Sequence, residues 1–80
     1  MQPEEWFDHL RATLPSREGM PTDEEIDALL EVARIAAHTS ERWAAPVSTY
    51  FLGMALGKLD AGERAHRLVE LAGRLESEEE

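Results

Sequence analysis

Thr22-Asp23-Glu24-Glu25-Ile26-Asp27-Ala28-Leu29-Leu30-Glu31-Val32-Ala33-Arg34-Ile35-Ala36-Ala37-His38 decides the fold class. It opens as a capping box, in which a threonine hydroxyl and the carboxylate three residues later satisfy each other's backbone amides at a helix start. Ile26, Leu29, Leu30, Ala33, Ala36 and Ala37 then recur at the three-and-four spacing of one buried stripe. The pattern predicts a helix over 23–39. On its N-terminal side, Pro3 suits a first helical position, and Glu4, Glu5 and Asp8 lie toward the positive end of a helix over 3–14 with Trp6, Phe7, Leu10 and Leu14 as its apolar face. Pro15-Ser16-Arg17-Glu18-Gly19-Met20-Pro21 is a punctuated connection and is expected to be the most mobile segment.

On the C-terminal side, Pro46 marks the first turn of a helix over 46–59, in which Val47, Tyr50, Phe51, Leu52, Met54, Ala55, Leu56 and Leu59 occupy nearly every side. A helix that is apolar all round needs cover all round. Its Thr49, Gly53 and Gly57 recur every four residues and suggest a flat stripe where another helix packs closely. Asp60-Ala61-Gly62-Glu63 is a second cap-like start, and Ala65, Leu68, Ala72 and Leu75 form the seam of a last helix over 61–76. Residues 77–80 add glutamates at the negative end of that helix and are expected to fray. No run of alternating β-branched residues argues for a strand. The expectation is a single all-α domain, 1–80, built as a compact bundle of four short, mostly antiparallel helices.

Composition narrows the function. Seventeen acidic against eight basic residues leave a formal net charge of −9, a field that disfavours nucleic acid and anionic membranes as partners. The apolar run from Val47 to Leu59 is about two-thirds of the roughly 20 residues that span a bilayer, so a core helix is expected there. Met1-Gln2-Pro3-Glu4-Glu5 is unlike a signal peptide, so the chain is expected to start as the mature protein. Absence of cysteine excludes disulfides and thiolate zinc sites and fits a cytoplasmic location. His9, His38 and His66 sit on separate helices with no second ligand at metal spacing, and no phosphate loop or activated nucleophile is present. Neither a metal, a cofactor nor an enzyme is expected.

One cluster is less bland. From Val32 to Leu59 the only acid is Glu41, against Arg34, Arg42 and Lys58. Arg34, His38 and Arg42 are spaced by four and share a face if the second helix continues through them. Beyond them, Ser48 and Thr49 follow a helix N-terminus whose amides could meet an anion. Two readings stand. Either the cluster is a phosphate or carboxylate pocket, or Arg34 pairs with Glu31, His38 caps its helix and Arg42 bonds loop carbonyls. Trp43 is likewise either a lid on the bundle ends or an exposed anchor for a partner.

Residues 28–38, followed by Glu41-Arg42 and Ala45-Pro46-Val47-Ser48-Thr49-Tyr50-Phe51-Leu52-Gly53-Met54-Ala55-Leu56-Gly57, carry a resemblance. The stretch resembles a small bacterial domain of unknown function, common in actinobacteria, encoded alone or fused after the nucleotidyltransferase domain of molybdenum cofactor guanylyltransferases. The resemblance covers about residues 22–75 and is most specific in its Ala-His, Arg, Ala-Pro and Gly-x-x-x-Gly series. It implies an accessory role near molybdopterin guanine dinucleotide synthesis, with a guanylyltransferase or related protein as partner. The guanylyltransferase's own nucleotide loop and metal-binding aspartates are absent from these residues. The expected function is a non-catalytic accessory or interaction domain, with a homodimer as one form. The alternative is a small-ligand module binding a phosphorylated or carboxylated metabolite at the start of the third helix.

Overall fold

A computed structural model describes residues 1–14 and 20–79; the connection at 15–19, where mobility is expected, and Glu80 lie outside the described residues. Four helices and no strand occur among the described residues: α1 (Pro3–Thr13), α2 (Asp23–Thr39), α3 (Ala44–Leu56) and α4 (Ala61–Glu79). The all-α bundle expected from the sequence is the fold.

The capping box forms as read. The Glu25 amide donates to Thr22 Oγ1 at 3.1 Å, and the Thr22 amide donates to Glu25 Oε1 at 3.0 Å. Helix α4 starts on Asp60, whose Oδ1 accepts the Glu63 amide at 2.9 Å. Two helices, α3 and α4, differ from expectation in their bounds by more than one residue. Helix α3 begins at Ala44, because the turn carbonyls of Glu41 and Arg42 accept the Ala44 and Ala45 amides and start the coil before Pro46; it ends at Leu56, short of Leu59. Helix α4 continues to Glu79 instead of fraying after 76. Glu79 accepts from the Arg34 guanidinium at 2.8 Å, and the Ser77 hydroxyl donates to the Gly73 carbonyl at 3.1 Å, so the last turn is tied down against the unfavourable dipole.

Helix α2 is central and packs against both α3 and α4. Ion pairs show its direction relative to α4: Glu25 near the start of α2 meets Arg64 near the start of α4, and Arg34 near the end of α2 meets Glu79 at the end of α4. These two helices therefore run parallel, and α3, joined to α2 by a tight turn, is the antiparallel return between them. The buried apolar residues are Ala28, Val32 and Ile35 of α2 with Ala65, Leu68 and Ala72 of α4. Leu29, Leu52, Leu56, Leu71 and Leu75 pack around this core half-buried. Helix α1 buries no residue, and its Trp6 ring stacks on His9 with centroids 6.1 Å apart. A radius of gyration of 13.4 Å exceeds the roughly 12 Å of a close-packed globule of this length, consistent with apolar surface left unpaired.

The small-residue stripe behaves differently from its reading. A Cβ placed on Gly53 would meet nothing within 4 Å, and one on Gly57 would meet the Gly53 carbonyl oxygen at 3.0 Å. Among the described residues, no helix rests on Gly53. Both glycines face the open space between α3 and α4, because α3 leans on the core through Leu52 and Leu56, about a quarter-turn round the coil.

Candidate functional site

Helix α3 dominates the exposed apolar surface. At 100° per residue, Trp43, Val47, Tyr50, Phe51 and Met54 fall on one side, roughly opposite Leu52 and Leu56. Their relative exposures are 65%, 52%, 72%, 66% and 68%. No charged side chain occurs from residue 43 to residue 57, so this face is neutral as well as apolar. The reason is geometric. Helix α2 covers one side of α3, and a sequence apolar on every side has its remaining sides in solvent.

Next to this face lies a groove of about 530 Å³ between α3 and α4, lined by residues that include Leu29, Leu52, Gly53, Leu56, Arg64 and Leu68. Glu25 sits in it with its side chain 5% exposed, accepting from Arg64 Nε at 3.1 Å. Arg64 Nη1 also donates to the Leu59 carbonyl at 3.0 Å, clamping the turn between α3 and α4. Bonding to the Thr22 amide holds the Glu25 carboxyl below the ordinary glutamate value of 4.5, with Arg64 acting in the same direction and burial opposing.

The anion cluster read from the sequence is divided. Arg34 Nε donates to Glu31 Oε1 at 2.6 Å, and its Nη2 donates to Glu31 Oε2 at 3.3 Å and Glu79 Oε1 at 2.8 Å. Glu31 is held below its usual value by this guanidinium, and Arg34 is raised in turn, Glu31 contributing most and Glu79 next. Helix α2 ends at Thr39, with Ser40 at φ −130° and ψ −115°, so Arg34 and His38 share a helix face while Arg42 lies past the break. His38 and Arg42 are exposed. At the start of α3, the Ala44, Ala45 and Val47 amides donate to Glu41, Arg42 and Trp43, and Pro46 has no amide to offer. Ser48 and Thr49 are half-buried, and the Thr49 hydroxyl donates to the Pro46 carbonyl at 2.9 Å. The cradle's backbone donors are thus already engaged. Trp43 is exposed, as an anchor would be.

Sequence reasoning singled out Trp43 but not Val47, Tyr50, Phe51 and Met54 beside it. The available signal was the absence of any polar side on helix 46–59. The Glu25–Arg64 pair in the groove was missed, since 39 positions separate its members and neither belongs to a motif beyond a cap. Among the described residues there is no group of three or more metal-ligating side chains and no helix long and apolar enough to cross a membrane.

Fold and surface together define a small all-α domain whose exposed chemistry is an uncharged aromatic helix face bordered by an apolar groove. Residues 1–80 match the family described as "Domain of unknown function (DUF6457)", and the chain belongs to it. Comparison with curated proteins and with solved structures gives no match.

Proposed function

We propose that this chain is a non-catalytic interaction domain that holds another protein chain through the α3 face and the adjoining groove, in the cytoplasm. The observation that carries the reading is the joint exposure of Trp43, Val47, Tyr50, Phe51 and Met54 on one neutral side of one helix. Scattered apolar side chains are ordinary on a surface, whereas a contiguous aromatic patch on a small domain marks a contact site. Trp and Tyr are also the residue types that concentrate binding energy in protein interfaces. Association with a molybdenum cofactor guanylyltransferase is part of the proposal and rests on the resemblance of residues 22–75.

Calorimetric titration of a purified molybdenum cofactor guanylyltransferase with this chain tests it. Saturable binding to the wild type, lost in Phe51→Glu with helical circular dichroism intact, is the expected result. Failure to bind removes the guanylyltransferase from the proposal. A parallel NMR titration with inorganic phosphate examines the ligand alternative: movement of the His38 and Ser48 signals at low phosphate would favour a metabolite module over an interaction domain.

A further inference from the structure

Resting on the interaction-domain reading, we infer that the α3 face is covered by α3 of a second copy of this chain, packed antiparallel about a two-fold axis near Tyr50. Charge selects the occupant. Each copy carries −9, and α1, α2 and α4 each place acids in their first turns, so two copies repel over most of their surfaces. Residues 43–57 are free of charge, and this is the surface on which two such chains can approach without burying like charges. A basic partner would be drawn instead to the acidic helices, where the neutral face offers it nothing.

Area supports the same occupant. Five large side chains, each more than half exposed, present on the order of 600 Å² per copy, near the roughly 800 Å² per partner of a standard stable interface. A two-fold contact needs a self-complementary patch, and this one is compact, neutral and centred on the middle of one helix. Glu41 and Arg42 at one end, and Lys58 and Asp60 at the other, give each rim one acid beside one base, so neither end meets its counterpart with a single sign. Antiparallel packing is favoured because it places each helix's positive end beside its neighbour's negative end.

Sedimentation equilibrium of the full chain over a wide concentration range is the test. The expected result is a mass that doubles with concentration, and an affinity weakened about thirtyfold by Tyr50→Glu or Phe51→Glu, as for loss of a central aromatic anchor, with helical circular dichroism unchanged. Because the chain has no cysteine, orientation can be read cleanly. Under oxidation, Tyr50→Cys should cross-link two copies, whereas Lys58→Cys, distant from its counterpart in an antiparallel pair, should not. A monomer at every concentration, a dimer that both glutamate variants leave intact, or rapid Lys58→Cys cross-linking overturns the inference. The interaction-domain reading is decided separately: a chain that stays monomeric yet binds the guanylyltransferase, and loses that binding in Phe51→Glu, keeps the reading and discards the second copy.

Discussion

Glu25 uses its two carboxylate oxygens for two different tasks: Oε1 closes the capping box on Thr22, and Oε2 receives Arg64 from α4. Its folded pKa is depressed, so its contribution to stability is present above the ordinary value of 4.5 and is lost as pH falls through the lower folded value. Glu25→Gln should therefore lower the melting temperature at neutral pH, by an amount that corresponds to about 2 kcal/mol for a cap and a charged hydrogen bond together. The variant should also show a flatter decline than the wild type as thermal unfolding is followed to about pH 3. Equal declines would assign the acid sensitivity to other carboxylates. Gly53 offers the opposite sign. With nothing within 4 Å of an added Cβ, Gly53→Ala gains helix propensity at no steric expense and should stabilise the chain by about 0.5–1 kcal/mol in urea unfolding. A substantial loss would mean that something packs closely on that stripe.

At the level of elements, the last turn of α4 depends on a contact distant in sequence. Arg34→Ala should leave the melting temperature nearly unchanged, because the guanidinium is solvent-exposed, while the amides of residues 77–79 exchange faster once Glu79 is released. Unchanged protection there would show that Ser77 alone holds the turn. This turn illustrates what the sequence can and cannot show. The start of α2 was legible because Thr22 and Glu25 lie three residues apart and their bonds are local. The persistence of α4 to Glu79 was not, because the favourable Arg34 contact spans 45 positions whereas the unfavourable dipole is visible from adjacent glutamates. Helix α3 shows the same division. Its apolar character on all sides was plain from residues 46–59, but which sides α2 would leave open depends on how the helices pack. Of the five face residues, the sequence therefore marks only Trp43 as a candidate partner contact. The Arg34, His38 and Arg42 spacing was legible too, yet it relied on a helix continuing past Thr39, and Ser40 breaks it.

For the whole molecule, the core is slight. Three of the six buried apolar residues are alanine, and none of the described side chains is among the nearly inaccessible. A chain of this size folds with little stability to spare, so covering the α3 face would do more for it than for a larger domain, and association would raise the apparent melting temperature by mass action. The electrostatics then give a prediction whose sign separates two kinds of partner. Two copies that each carry −9 repel at a distance, and added salt screens that repulsion while leaving the neutral contact between α3 helices almost untouched. Self-association, and with it the concentration-dependent part of the melting temperature, should therefore strengthen as sodium chloride is raised from low to physiological ionic strength. A partner drawn by the acidic helices would show the reverse, since its attraction is what the salt removes. Differential scanning calorimetry at two protein concentrations and two salt concentrations measures the sign directly. A concentration-dependent increment that shrinks with salt would mean that the copies are held by attraction between opposite charges and not by the neutral α3 face.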